Sequence, residues 1–209
     1  MVAGNLHWPR TTLIQPMLSL LTSLLTAAAL LQGPAVKPQP ATAAAKPAPA
    51  PPIPWSATRR LTMADFQGRP GPSDRLAALT SADIKSNAAC RDFVFSATVT
   101  ATFDPNTSWF QNPKMASEAL LRHEQLHFDI TEAYARLMRQ KLAIFSAKAD
   151  CNKLQPAFNN VTKAVYAAWD NEQNRYDQET GHGLNAVRQA AWEKQTQVKL
   201  EQLKAFAVQ

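Results

Sequence analysis

Asp92-Phe93-Val94-Phe95-Ser96-Ala97-Thr98-Val99-Thr100-Ala101-Thr102-Phe103-Asp104 reads as a β-strand with two unlike faces. Phe93, Phe95, Ala97, Val99, Ala101 and Phe103 alternate with Val94, Ser96, Thr98, Thr100 and Thr102. Side chains on a strand point to opposite faces in turn, so this period of two sets an apolar face against a mostly hydroxyl-bearing one. That is the signature of a half-buried antiparallel strand. Ala77 to Lys85 is the expected partner strand, Gln67-Gly68-Arg69-Pro70-Gly71-Pro72 a loop, and Asn106 to Ser108 a turn before Trp109.

Beyond the strand the period changes to that of helices. Residues 115–149 predict one long helix, started at Asn112-Pro113 or capped by Ser117, with Leu120, Leu121, Ile130, Tyr134, Leu137, Met138, Leu142 and Phe145 apolar. A second helix spans about 154–180, with Phe158, Val161, Val165, Trp169 and Tyr176 on one stripe, and Gly181 and Gly183 end it. A third runs from about Leu184 to Ala207, with Val187, Ala190, Ala191, Val198 and Leu203 inward. The fold class is α+β: a small antiparallel sheet followed by a bundle of about three helices. Trp55, Phe66, Trp109, Phe110 and Trp192 are expected in the core.

Residues 1–32 read as an export signal. Arg10 precedes an apolar run from Leu13 to Leu31, and Ala27 and Ala29 offer a cleavage pattern. Residues 33–54 hold eight of the 15 prolines among many alanines, a composition that predicts an extended tether before a domain at 55–209. The destination is therefore periplasmic or extracellular, with membrane attachment only if the signal stays uncleaved. In such an oxidising compartment Cys90 and Cys151, the two cysteines of the chain, predict one disulfide.

The net charge of +6 invites a nucleic-acid reading, but Arg10, Lys37 and Lys46 supply half of it outside the domain. Residues 55–209 carry 19 Lys and Arg against 16 Asp and Glu, with no basic cluster beyond short pairs such as Arg59-Arg60. Nucleic acid is not an expected partner.

The first long helix contains His123-Glu124-Gln125-Leu126-His127. Histidines four apart lie one above the other on a helix, so both imidazoles reach one ion, and the intervening glutamate is set to take a proton from water there. This is the H-E-x-x-H pattern of zinc peptidases, with Glu124 as general base. A catalytic zinc needs a third protein ligand. His7 lies in the export signal, which leaves His182 in the domain. If the first two helices pack antiparallel about a turn near 151–152, His127 lies level with about residue 176 and His123 with about residue 180. His182 is the expected third ligand. Asp177 and Glu179 are alternatives, as ligands or as acceptors that orient an imidazole, and Glu172 on the apolar stripe also wants a cation. Tyr176 is a candidate donor to a developing oxyanion, and Arg122 a candidate for a substrate carboxylate.

These residues resemble the bacterial family known as domain of unknown function 922, whose members are described as secreted zinc-dependent proteases. The resemblance is carried by Trp55, Asp65-Phe66-Gln67-Gly68 with Pro70, Ala78-Leu79-Thr80 and Ser108-Trp109. It continues through Leu120 to Ile130, Tyr134-Ala135-Arg136 and Tyr176-Asp177-Gln178-Glu179-Thr180-Gly181-His182-Gly183. Leu126 stands where members often carry Gly. The resemblance implies a zinc peptidase acting on peptide or protein, with a site function for the Tyr176–His182 block. A non-catalytic envelope domain, with zinc structural or absent, is the alternative from another class.

Overall fold

The computed structural model describes residues 48–146, 151 and 154–208. The expected export signal and most of the expected tether lie outside the described residues. Five strands and three helices follow one another: β1 Ile53–Pro54, β2 Ala78–Leu79, β3 Ala82–Arg91, β4 Val94–Phe103, β5 Trp109–Phe110, α1 Glu118–Ser146, α2 Leu154–Thr180 and α3 Ala186–Gln202. The class is α+β, as the two periodicities predict. β4 is the centre of a three-stranded antiparallel sheet ordered β1-β4-β3, and β2 pairs with β5 in a separate two-stranded ribbon.

The alternation along β4 does what its sequence predicts. Val99, Ala101 and Phe103 are buried, while Val94, Ser96 and Thr98 are exposed. Phe93 departs from that pattern and is 84% exposed. The strands pair to Arg91 opposite Val94, which leaves Asp92 and Phe93 as a two-residue turn with φ of 49° and 61°. Two consecutive left-handed residues match the right-handed twist of a hairpin, so Phe93 is used to turn the chain rather than to fill the core.

The expected partner strand at Ala77–Lys85 is divided and extended. Thr80 and Ser81 separate β2 from β3, because Ser81 N–H donates to Ser108 Oγ at 2.9 Å and the Thr80 hydroxyl turns to Glu124. The domain also begins earlier than residue 55. Ile53 pairs with Phe103, Trp55 N–H donates to Ala101 O, and Ala50 exchanges two hydrogen bonds with the Asn106 side chain. Proline lacks a donor but is tolerated at a sheet edge, which is where Pro54 lies.

α1 starts where the Ser117 hydroxyl accepts from Leu120 N–H at 3.1 Å. It lies between the sheet on one side and α2 and α3 on the other, so it is buried nearly all round between His123 and Arg136. Phe128 meets Phe103 at 5.9 Å between ring centroids, and Phe66 bridges Phe103 and Phe110 at 5.0 and 4.3 Å. The apolar stripe expected on α2 joins this core. Of the stripe expected on α3 only Leu203 is buried: Val187 is 81% exposed and Ala190, Ala191 and Val198 face outward, while Gln189, Trp192, Thr196 and Leu200 are buried. Its apolar residues are too sparse to set the face, and polar partners on α1 and α2 set it instead. Among the described residues no helix is long and apolar enough to cross a membrane.

Cys90 at the end of β3 is disulfide-bonded to Cys151 between α1 and α2, 61 residues on. The cross-link joins the hairpin to the helical layer and closes a loop whose entropy is worth about 4 kcal/mol in the chain-entropy account. Cys90→Ser with Cys151→Ser should lower the free energy of unfolding by about 2–5 kcal/mol in a urea titration. Gly68 tests the loop beside the core. A Cβ there would meet the carbonyl oxygens of Asn106 and Ser108 at 2.8 Å each, and both are backbone. Gly68→Ala should cost about 1–3 kcal/mol by the same measurement.

Candidate metal centre

The antiparallel packing of α1 and α2 brings Asp177 against both histidines of the motif. Asp177 Oδ1 lies 3.1 Å from His123 Nε2 and 3.0 Å from His127 Nε2, and the two Nε2 atoms are 3.2 Å apart. The remaining ring nitrogens are spoken for by two glutamines. His127 Nδ1 lies 2.7 Å from Gln173 Oε1, and His123 Nδ1 lies 3.3 Å from Gln189 Oε1.

The glutamines determine the tautomers. Gln173 uses its amide nitrogen on His127 O and the Thr131 hydroxyl, at 3.0 and 3.1 Å. Gln189 uses its amide nitrogen on Glu193 at 3.1 Å, and its carbonyl also accepts the Tyr176 hydroxyl at 2.7 Å. Each glutamine therefore turns a carbonyl oxygen toward its histidine, and each imidazole donates from Nδ1. Both neutral rings then aim a lone pair from Nε2 at Asp177, itself an acceptor. Three acceptors in mutual contact require positive charge among them, as a proton or an ion.

The titration behaviour has the same cause. Burial opposes charge on His127, yet the hydrogen bond its protonated ring donates to Asp177 and the nearby Glu124 carboxylate outweigh it and raise its pKa above the ordinary value. Burial likewise favours a neutral Asp177, and its hydrogen bonds to His123 and His127 outweigh that, holding the carboxyl far below the usual carboxylate range. A tetrahedral ion with ligand bonds of about 2.0–2.2 Å holds its ligands about 3.3–3.6 Å apart. The triangle is already nearly that size, and its two nitrogens and one oxygen are donors that zinc accepts. His123, His127 and Asp177 form a group able to hold a metal ion.

Glu124 lines the same small pocket. Its Oε2 accepts from the Thr80 hydroxyl at 2.7 Å, and Oε1 has no donor among the described residues. His182 lines the pocket as well, but its side chain is 58% exposed and its Nδ1 stands 3.5 Å from Asp177 Oδ1. Gly181, His182 and Gly183 have φ of 56°, 54° and 82°, a left-handed run that ends α2. The run also lays the backbone on the site: a Cβ on Gly183 would stand 2.9 Å from His123 Cβ and Cγ.

The other expected site residues have different partners. The third member of the group is Asp177 rather than His182, because a helix-borne carboxylate level with both histidines reaches them while the turn carries His182 outward. Tyr176 is fully buried and its ring stacks on His123 at 4.6 Å between centroids. Its hydroxyl donates to Gln189, so it orients His123 from behind and offers no donor to an oxyanion in the pocket. Burial, with the carboxylates of Glu124 and Asp177 nearby, pushes that phenol well above its usual pKa. Glu179 is held by Trp192 Nε1 at 3.0 Å. Glu172 has the cations it was expected to want, Lys199 and Arg175, each at 2.7 Å. Arg122 is paired with Glu193 at 2.6 Å. Thr80, Gln173 and Gln189 are residues that motif reasoning missed. Gln173 is four residues before Asp177 and therefore shares its helical face, which is the one signal available for it.

This α+β domain with a two-histidine, one-carboxylate centre matches a family model at residues 62–183, described as bacterial protein of unknown function (DUF922). The match covers more than half of the chain, and the chain belongs to that family. It includes all three members of the group and Glu124, and stops before α3. No curated protein and no solved structure matches the chain.

Gln173→Leu and Gln189→Leu should each weaken metal binding about 10–100-fold, because the outer carbonyl orients the imidazole. Chelator competition measures this directly. Gly183→Ala should reduce metal loading by displacing His123, with circular dichroism reporting that the fold persists.

Proposed function

We propose that this protein is an exported zinc-dependent hydrolase, a peptidase acting on peptide or protein. The observation that carries the reading is the convergence of His123 Nε2, His127 Nε2 and Asp177 Oδ1 within 3.0–3.2 Å, beside a glutamate with one carboxylate oxygen that has no donor among the described residues. Zinc held by these three residues would supply a Lewis acid and a water of lowered pKa.

The chain's own groups have separate duties in this reading. Gln173 and Gln189 keep Nδ1 protonated on both rings, so that both Nε2 lone pairs stay on the site. Thr80 holds Glu124 Oε2, which fixes the rotamer and leaves Oε1 to take a proton from water. Glu124 then returns that proton to the leaving amine. Leu76, Leu79 and Leu120 on the pocket wall exclude water and favour apolar substrate groups. Export accords with the apolar stretch at 13–31 and with the Cys90–Cys151 disulfide.

His182 supports a second reading. Its Nδ1 stands 3.5 Å from Asp177 Oδ1 but outside the three-residue group, and moving it into the site would make a closed four-ligand shell of the kind that belongs to structural zinc. Glu124→Gln separates the two. In the hydrolase it should keep the metal and lower the rate of peptide cleavage by about 10²–10⁴-fold, the usual worth of a general base. Unchanged metal-dependent cleavage would overturn the hydrolase reading. His182→Ala should leave the visible spectrum of the cobalt-substituted protein unaltered if the site is open, and change it if His182 is a ligand.

A further inference from the structure

The far side of α1 holds a second cluster of buried charge. Arg136 is nine residues beyond His127, about 180° round the helix. With Glu132 and Arg139 it lines a cleft of about 460 Å³ whose other walls include Trp55, Ala101 and Val208. The side chains of Glu132, Arg136 and Arg139 are 4%, 8% and 15% exposed. Among the described residues that line the cleft Glu132 is the one acid, and it faces two guanidinium groups, which leaves an excess positive charge in a largely desolvated place.

The hydrogen bonds show where that excess is available. Arg139 donates to Val99 O at 2.9 Å, Phe206 O at 2.8 Å and both oxygens of Glu132 at 3.1 and 3.2 Å. Arg136 donates from Nε to Glu132 at 2.9 Å and from Nη1 to Leu200 O at 2.7 Å. Its Nη2 has no acceptor among the described residues and is not sealed from solvent. Trp55 lies beneath this guanidinium, 5.2 Å from ring centroid to Cζ, and its indole Nε1 is anchored on Asp129 at 2.8 Å. Arg136 and Trp55 also border an adjoining cleft that holds Asp129, engaged by Arg60 at 2.9 Å, and Glu201, engaged by Lys204 at 2.5 Å, so both of those acids already have a cation. A guanidinium nitrogen with both N–H groups free, beside a fixed aromatic wall, is complementary to one oxygen of a carboxylate on an apolar body.

We propose that this cleft is a binding site for an organic monocarboxylate, its charge on Arg136 Nη2 and its apolar part against Trp55. The site is separate from the metal centre and stands whether or not zinc is bound. Occupancy would join the segment after β1, the middle of α1 and the C-terminal stretch.

Titration calorimetry of the purified full chain with benzoate tests this, with benzyl alcohol as the uncharged analogue and chloride as the inorganic anion. Benzoate should bind saturably at one site per chain. Benzyl alcohol, chloride, and benzoate with Arg136→Met should each be at least tenfold weaker, with the metal content of the variant unchanged. A second measurement serves if Arg136→Met does not fold. In the wild-type chain the indole N–H resonance of Trp55, assigned with Trp55→Phe, should shift along the same benzoate isotherm. Absence of saturable binding, equal affinity for benzyl alcohol or chloride, equal affinity of a folded Arg136→Met, or an unmoved Trp55 resonance would each overturn the proposal.

Discussion

Two imidazole lone pairs and a carboxylate oxygen within 3.0–3.2 Å of one another repel unless positive charge lies among them. Much of the domain keeps them there. The α1–α2 pairing brings Asp177 level with both histidines. Two glutamines, each oriented by what its amide nitrogen donates to, keep the ring protons on the far side. Tyr176 stacks behind His123, and the left-handed turn at 181–183 closes over it without a Cβ at Gly183. An arrangement that satisfies the outer donors and leaves the inner acceptors crowded is organised around positive charge, as a proton or an ion.

The same helix explains why polar chemistry is so dense here. α1 is covered by the sheet, by α2 and by α3, so its polar side chains have little water to turn to and must find partners inside. Gln125 accepts from Leu61 N–H at 2.6 Å and donates to Asp129, and Asp129 also receives Trp55 and Arg60. Glu132 receives Arg136 and Arg139. Along one helix the buried groups thus form a metal-capable group on one side and an arginine-rich cluster on the other. No buried side-chain nitrogen or oxygen lacks a partner among the described residues.

Much of the fold was legible because period and burial agree. The alternation of β4 and the stripes of α1 and α2 carry enough apolar residues to fix a face. Legibility failed where few residues decided the outcome. Val187 and Val198 suggested one face of α3, but Gln189 and Trp192 had partners on the other and took it inward. Phe93 looked like the end of an apolar row until the hairpin required it as a turn residue. In the site, His123, Glu124 and His127 were readable because their spacing matches one helical turn. Asp177 was an alternative to His182, since both lie in the segment that antiparallel pairing brings level with the histidines.

The sequence by itself determined the periodicities, the H-E-x-x-H spacing and the two cysteines, because each depends on distances of a few residues or on a simple count. Only the tertiary structure decided which acceptor completes the metal-capable group, where the Tyr176 hydroxyl points and which glutamines orient the rings. Those outcomes depend on the rotation and offset of α2 and α3 against α1, where an ångström separates a contact from a miss. The same packing placed Arg136 and Arg139 around one carboxylate beside Trp55, an arrangement drawn from segments up to 84 positions apart that no local pattern announces.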